Sequence, residues 1–342
     1  MMNNKIAQRR SWLRSLAAVG LAGVMAAGLG ACSTSTPEPR EPGDAISYPE
    51  RPVQFVVGFN AGGALDLVAR QLGKNFPADF GQSVVVVNVA GDGGVIGANQ
   101  VFSAAADGHT VYFGSVAALA IQPWREGTDV PYGDTSDYTP VANVLYFPQV
   151  LSVPANAPYD TPKELVEYAE EHPGEVRIGT GGVGTLPDIA LQQAMSELGI
   201  EIIDVPFQGF AQSVPALLSG TIEAIVSSPA DVAQHVEAGT LKVLGTFNDD
   251  PIPSMPEVQS FTTAGMKYTQ DNYYFVVAPK DTPKEVVAKL ADAIKAAVET
   301  PDFTEWAKAN GATVQFLDAK DLGERLQSDY ERYEKIVSDL GL

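Results

Sequence analysis

Residues 176–190, VRIGTGGVGTLPDIA, pass from an apolar run through a glycine-rich loop into a helical pattern. Gly179, Gly181 and Gly184 give the loop the spacing GxGxxG, and Asp204 ends another apolar run 20 residues after Gly184. This spacing is typical of dinucleotide-binding loops, in which glycines form the turn and an acidic residue binds the ribose. The motif alone is a weak signal. A nucleotide-dependent enzyme and another kind of anion-binding protein are therefore both kept as hypotheses.

Two other loops repeat the order of strand, glycine and helix, at residues 59–63 and 91–97. Glycine allows the backbone to approach a ligand closely, and the helix that follows presents free N–H groups and the positive end of its dipole. Such a corner binds a carboxylate as readily as a phosphate. The alternative for each loop is that its glycines only form a tight turn.

Apolar runs alternate with helical patterns along the chain, which predicts an α/β fold with mostly parallel sheets flanked by helices. The strands are predicted at residues 53–58, 83–89, 110–115, 176–179, 200–205, 221–227, 241–247 and 273–278. Residues 124–140 show no clear pattern, and Thr161-Pro-Lys-Glu164 predicts a helix start. The folded part is about 295 residues long, which favours two lobes over a single core.

The N-terminal 31 residues predict a secretory signal peptide. Four basic residues precede a short apolar run, Leu16–Gly28, and the small residues Gly30 and Ala31 stand before Cys32, the only cysteine of the chain. The sequence Leu-Gly-Ala-Cys resembles a bacterial lipobox, which predicts acylation of Cys32. The alternatives are a plain signal peptide or a short anchor with Cys32 incidental. Arg9-Arg10 is compatible with twin-arginine export, and the general secretory route stays open.

Residues 32–47 are rich in proline, serine, threonine and glutamate, and predict a flexible tether. The formal net charge is −20, and removal of four basic residues with the signal peptide changes it to −24. So acidic a surface argues against nucleic acid and anionic lipid as partners. The three histidines lie far apart in the sequence, so no metal site is predicted, and no cysteine other than Cys32 is present for a disulfide or for thiol catalysis.

Residues 48–72, YPERPVQFVVGFNAGGALDLVARQL, resemble the start of the periplasmic binding proteins of tripartite tricarboxylate transporters, the TctC or Bug family. Further segments resemble the family in the same order as far as the C-terminus: GDGGVIGAN, AADGHTVYFG, TPKELVEYAEEHPG, VPFQGFAQSVPALLSGTIEA, VEAGTLKVLG and VVAPKDTPKEVV. No single segment decides the resemblance. The order of all of them over nearly the whole predicted fold carries it.

The resemblance implies a two-lobed Venus flytrap of the type II-like class, with residues 48–147 and 271–342 in lobe 1 and residues 148–270 in lobe 2. It also implies a monomeric extracytoplasmic receptor that captures a small organic carboxylate, uses no cofactor, catalyses no reaction and delivers the solute to membrane subunits of a transporter. The ligand-binding residues that it implies are Phe59, Asn60, Ala61, Gly62, Gly63, Asp66, Ser115, Thr180, Gly181, Val183, Gly184, Thr185 and Phe207.

The chain departs from the family pattern at Leu65, Asp188 and Gln208, where the family often has a hydroxyl, a histidine and a lysine. Neither binding loop contains a lysine or arginine, so backbone amides and helix ends would neutralise the carboxylate. These departures predict a ligand with fewer charges, unless the side chains point away from the cleft. A receptor that feeds a signalling system is the alternative function. A dinucleotide enzyme is disfavoured because no acid–base pair accompanies the glycine loop.

Overall fold

The computed structural model describes residues 47–252, 254–267 and 272–342. The predicted signal peptide, the lipidation site Cys32 and all of the predicted tether except Ser47 lie outside the described residues. Residues 46–342 form one compact unit. No helix within the described ranges is long and apolar enough to cross a membrane.

The first sheet has six strands in the order β11-β4-β10-β3-β1-β2. The strands β1 and β2 and the strands β1 and β3 pair in parallel, whereas β10 pairs antiparallel with both β3 and β4, and β11 pairs antiparallel with β4. The bounds of these strands are β1 Val53–Val57, β2 Val84–Asn88, β3 Thr110–Gly114, β4 Tyr138–Phe147, β10 Asn272–Pro279 and β11 Thr313–Leu317. We call the part of the chain around this sheet lobe 1.

The second sheet has five strands in the order β7-β6-β8-β5-β9, and the part of the chain around it is called lobe 2. Strand β6 pairs in parallel with β7 and β8, and β5 pairs antiparallel with β8 and β9. The bounds are β5 Val150–Pro154, β6 Arg177–Thr180, β7 Ile203–Pro206, β8 Ala224–Ser227 and β9 Leu241–Thr246.

The predicted α/β architecture, with two sheets flanked by helices, is confirmed, although neither sheet is entirely parallel. Both sheets are mixed, because the strands on which the chain passes between the lobes, β4, β5 and β10, run antiparallel to their neighbours. The strands β4, β5 and β11 had not been predicted. Strand β4 follows directly after the stretch without a pattern and is almost entirely buried, so its sequence shows no alternation of polar and apolar residues.

Helices follow most of the strands and cover the sheets, as right-handed α/β units require. Their bounds are α1 Ala64–Lys74, α2 Val95–Phe102, α3 Pro162–Glu171, α4 Leu186–Leu198, α5 Phe210–Leu218, α6 Pro229–Glu237, α7 Lys284–Val298, α8 Pro301–Ala309 and α9 Ala319–Leu340. The predicted start of α3 is confirmed, because the Thr161 side chain accepts a hydrogen bond from the Glu164 amide.

Apolar packing also joins the two lobes. Leu186 and Ile189, in the first turn of α4, are buried in the same hydrophobic cluster as Val116 and Leu119, which follow β3 in lobe 1. Ala230 of α6 belongs to the main core cluster of lobe 1. The structure therefore holds the lobes in a closed arrangement.

Candidate functional site

A cavity of about 50 Å³ lies between the lobes, at the starts of helices α1 and α4. The loop after β1 contributes one wall and the loop after β6 the opposite wall. The cavity is lined by Phe59, Asn60, Gly63, Ala64, Leu65, Asp66, Ser115, Ala117, Gly181, Thr185, Leu186, Pro187, Gly209, Phe210, Ser228, Asn272 and Tyr274. We call it the inner cavity.

Several backbone amides at the inner cavity have no acceptor. The N–H groups of Asn60 and Gly63 in lobe 1 and of Gly181 in lobe 2 donate no hydrogen bond within the part of the chain that the structure describes. Gly63 and Thr185, the N-cap residues of α1 and α4, provide no side-chain cap, although the Ala64 amide of α1 donates to Asp231 of the opposite lobe. Helix starts with unpaired amides form a preorganised site for an anion, because both the N–H groups and the helix dipole favour negative charge.

Each binding loop is held in shape by a carboxylate of its own helix. The Gly62 amide donates to Asp66 at 3.0 Å, and the Gly184 amide donates to Asp188 at 2.7 Å. Both glycines have positive φ angles, 90° and 70°. These two amides are therefore already paired, and the loops offer a ligand their other N–H groups instead.

The carboxylate of Asp66 is neutralised within lobe 1. Arg70 pairs with it at 2.8 Å, and the Asp66 side chain is 3% exposed. Burial acts to raise the pKa of Asp66, but hydrogen bonds from Arg70 and the Gly62 amide outweigh burial and lower it. Asp66 thus stays ionised beside the inner cavity without adding an uncompensated negative charge.

Asp188 has a different environment in lobe 2. It is 1% exposed and lies beside Asp204. Burial, and then the neighbouring charge of Asp188, raise the pKa of Asp204 to about 7, so the Asp204 carboxyl group is partly protonated near neutral pH. The side chain of Asp188 supports the loop through Gly184 and does not line the cavity, as the sequence analysis had left open.

Hydroxyl and amide side chains complete the polar lining. The Ser115 hydroxyl is 7% exposed and has no hydrogen-bond partner among residues 47–252, 254–267 and 272–342. Ser228 of lobe 2 is 3.2 Å from the Tyr274 hydroxyl of lobe 1, and the Asn272 side-chain nitrogen lies 3.5 Å from both oxygens. Phe59 and Phe210 supply apolar surface on opposite walls. The lining of the cavity therefore includes both polar and apolar side chains.

Several hydrogen bonds cross the closed cleft between the lobes, and three of them are 2.7–2.8 Å long. The Asn60 side chain donates to the Gln208 carbonyl at 2.7 Å, and the Gln122 side chain donates to the Val183 carbonyl at 2.8 Å. The third runs from the Ala64 amide to the Asp231 carboxylate, at 2.7 Å.

Asp231 of lobe 2 accepts a hydrogen bond from the first backbone amide of α1, in lobe 1. One carboxylate oxygen accepts from Ala64, and the other accepts from the Ser228 amide, which makes Asp231 part of the capping box of α6. Burial raises the pKa of Asp231 to about 7, although both hydrogen bonds act to lower it. A carboxylate of the protein thus already uses part of the anion site on α1.

A second cavity, of about 210 Å³, adjoins the first and shares Phe59 and Gly181 with it. Its remaining lining comes from both lobes: Gly91, Asp92, Gly93, Arg125, Gly182, Val183, Pro206, Phe207 and Gln208. We call it the outer cavity. Arg125 was missed by sequence reasoning because it lies in the stretch without a pattern, 55 or more residues before the loop that it contacts.

The structure brings most of the predicted binding residues together. At the inner cavity lie Phe59, Asn60, Gly63, Asp66, Ser115, Gly181 and Thr185, and at the outer cavity lie Val183 and Phe207. Four line neither cavity: Ala61, Gly62, Thr180 and Gly184. The lining residues that had not been predicted include Asn272, Tyr274 and Ser228, whose sequence neighbourhoods carry no glycine signal. In the described ranges, no group of three metal-ligating side chains is present.

Comparison with protein families matches residues 68–342 to the tripartite tricarboxylate transporter family receptor, TctC. The chain belongs to this family. A UPF0065 protein from the tcbD-tcbE intergenic region of Pseudomonas sp. strain P51 is 31% identical to the receptor, over 86% of this chain and 88% of that protein. Protein BugT of Bordetella pertussis is 28% identical, over 88% of the receptor and 92% of BugT.

Solved structures resemble the receptor along nearly their whole length. The periplasmic binding protein BugD is 27% identical with a TM-score of 0.80, over 86% of the receptor and 99% of BugD. Rpa4515 of R. palustris with adipate is 26% identical with a TM-score of 0.81, over 86% and 98%. MatC from Rhodopseudomonas palustris with bound malate is 26% identical with a TM-score of 0.78, over 85% and 100%.

The family membership confirms the resemblance that the sequence motifs indicated and the two-lobed binding-protein fold. It identifies the chain as a solute-binding receptor, and receptors of this family are located outside the cytoplasm. The dinucleotide enzyme is rejected, because the family and the solved relatives are receptors rather than enzymes. The glycine loop at 180–185 forms one of the two glycine-rich corners of the inner cavity.

Proposed function

We propose that the receptor captures a small organic carboxylate in the inner cavity and delivers it unchanged to the membrane subunits of a tripartite transporter. The observation that carries this proposal is the set of unpaired amides, Asn60, Gly63 and Gly181, beside the starts of α1 and α4 in one cavity. Relatives whose structures contain adipate and malate support a carboxylate as the ligand class.

The geometry explains how capture couples to closure. Amides of lobe 1 and of lobe 2 reach the same cavity, so a carboxylate contacts both sets only when the lobes are closed. A ligand that binds the closed state better than the open state shifts the equilibrium toward closure. The amides are fixed by the loops before the ligand arrives, so little reorganisation opposes binding.

The division into lobes and the route to the membrane belong to the same proposal. Lobe 1 would comprise residues 48–147 and 271–342, and lobe 2 residues 148–270, a division that the membership of the two sheets supports. Acylation at Cys32 would hold the receptor at the membrane through the tether 32–47. The sequence Leu-Gly-Ala-Cys supports this anchor.

A library of carboxylates screened by thermal shift tests the function, followed by small-angle scattering with and without the best hit. We expect a carboxylate to stabilise the receptor and to reduce its radius of gyration. The affinity should depend only mildly on salt, because buried fixed dipoles are screened less than surface charges. A basic or neutral compound as the tightest binder would contradict the carboxylate site, and a bound receptor that stays open would contradict the flytrap.

A further inference from the structure

The inner cavity has room for only part of a solute. About 50 Å³ accommodates the centres of only a few water-sized groups, since each needs at least about 10–15 Å³. The outer cavity is larger, about 210 Å³, and lies next to the inner one, with Phe59 and Gly181 in the lining of both. A solute whose carboxylate binds the inner amides therefore extends its other end into the outer cavity.

The outer cavity contains one cationic side chain among its lining residues, Arg125. This side chain is 20% exposed and lies on the lobe 1 wall. Its Nη1 donates to Gln122 and to the Val183 carbonyl of lobe 2, so its position is fixed when the lobes are closed. The other guanidinium donors, on Nε and Nη2, have no acceptor within the part of the chain that the structure describes.

Asp92 is the acidic neighbour of Arg125, with 3.5 Å between its Oδ1 and Nη1 of the arginine. This distance is longer than a charge-assisted hydrogen bond, which is about 2.7–2.9 Å. The Asp92 side chain is 44% exposed, so the pair contributes little binding energy to either partner. A second anion can therefore bind Arg125 either together with Asp92 or in place of it.

We propose that the outer cavity is a second anion subsite, in which Arg125 pairs with a terminal carboxylate on the far end of the solute. The receptor then selects dicarboxylates over monocarboxylates of the same length. Arginine suits this role because its planar donors match the two oxygens of a carboxylate. The inference rests on the proposed function, and it replaces the expectation of a less charged ligand, which considered only the two loops.

The test compares dicarboxylates with monocarboxylates of equal chain length: succinate with butanoate, adipate with hexanoate, and octanedioate with octanoate. Calorimetry on the wild-type receptor and on Arg125→Gln gives the affinities. We expect Arg125→Gln to weaken the best dicarboxylate by about tenfold to one-hundredfold, the scale of a lost charged hydrogen bond, and the matching monocarboxylate by no more than about fivefold, through the lost contact with the Val183 carbonyl across the cleft. Arg51→Gln is the control, because Arg51 pairs with Asp107 at 2.9 Å on the surface and the charge change is the same.

Asp92→Asn gives an independent test with the opposite sign. Asp92 has a φ of 46°, a conformation that asparagine also tolerates, so the backbone should be preserved. Removal of the competing carboxylate should strengthen dicarboxylate binding severalfold, and should leave the monocarboxylate unchanged. A residue with only a structural role would not produce a gain restricted to dicarboxylates.

Each outcome decides between the two proposals. Equal losses for both acids in Arg125→Gln, or no loss for either, would overturn the second subsite and leave the carboxylate function intact. The same holds if monocarboxylates bind the wild-type receptor and no dicarboxylate in the series does. If no carboxylate of either kind binds, the proposed function fails together with the subsite. Thermal melts of the variants show whether a loss comes from misfolding.

Discussion

Gly62 and Gly184 occupy equivalent positions in the two binding loops. Each has a positive φ, and each donates its amide to an aspartate four residues later, in the first turn of the helix that follows. Their surroundings differ. A Cβ on Gly62 would have no atom within 4 Å, whereas a Cβ on Gly184 would lie 2.7 Å from Nε2 of Gln122 in the opposite lobe. Gly62 is therefore needed only for the conformation of its loop, whereas Gly184 also leaves room for Gln122 of the opposite lobe when the lobes are closed.

This difference makes Gly62→Ala and Gly184→Ala a matched pair. Both variants should lose about 1–2 kcal/mol of stability, because an L-residue is strained at positive φ. Only Gly184→Ala should also displace Gln122 from the Val183 carbonyl, which costs the closed state about 1 kcal/mol and weakens carboxylate binding by about fivefold. Calorimetry with the best ligand measures the difference. Equal affinities in the two variants would show that the Gln122 contact does not contribute to closure.

Binding-site residues were easiest to predict from the sequence where the residue type, such as glycine in a loop, has few structural roles. The glycine loops could be predicted as two corners of one site because strand, glycine and helix form a local pattern, and residues of both loops line the inner cavity. Arg125, Asp231 and Asn272 were missed for the opposite reason. Each reaches the site from a segment distant in sequence, and an arginine or a capping aspartate has the same local pattern whether it faces solvent or another lobe.

At the scale of elements, the strands that join the lobes were the least predictable part of the fold. Strands β1, β2, β3 and β6 are followed by loops and helices that mark their ends. Strand β4 leads directly into β5 of the other sheet, with only Pro148 and Gln149 between them. Its ten residues are buried in lobe 1 by contact with β10 and β11, which lie more than 120 residues later. Local periodicity carries no information about such a partner.

Helices α1 and α6 meet through the Asp231 carboxylate, and this contact predicts a pH dependence of closure. Burial in the closed state raises the pKa of Asp231 to about 7, whereas the exposed group in the open state should have a value near 4. The closed state therefore binds the proton more tightly. Its added stability is fully present below about pH 4 and is lost as the pH rises through about 7.

We expect the affinity for a carboxylate to increase by up to about tenfold per pH unit as the pH falls from 7 to 5. The carboxylate ligand itself should be largely ionised over most of this range, and calorimetry in buffers of different ionisation enthalpy should show the uptake of about one proton. In Asp231→Asn the dependence should disappear. Asp204 keeps its raised pKa beside Asp188 in that variant. If the affinity still depends on pH, the effect therefore belongs to Asp204 in lobe 2 and not to the contact between Asp231 and α1.

At the scale of the whole molecule, the proposed anchor predicts where the receptor is found. If Cys32 is acylated, Cys32→Ser should yield unprocessed or released protein, whereas the wild type should fractionate with membranes. Mass spectrometry of the mature N-terminus and fractionation check this prediction. Ser33→Ala or Ser35→Ala is a suitable control, because either substitution alters the same segment without removing the thiol. An unchanged mass and an unchanged distribution in Cys32→Ser would contradict the lipoprotein assignment.

The hydrogen bonds across the cleft, from Asn60, Ala64 and Gln122, also have a consequence for timing. A solute enclosed by both lobes cannot leave until those bonds break, so its residence time is set by the opening of the lobes. Motions of this kind take microseconds to milliseconds or longer. The membrane partner that we propose would therefore gain little by competing for the carboxylate itself, and would accelerate transfer by binding the lobes and separating them.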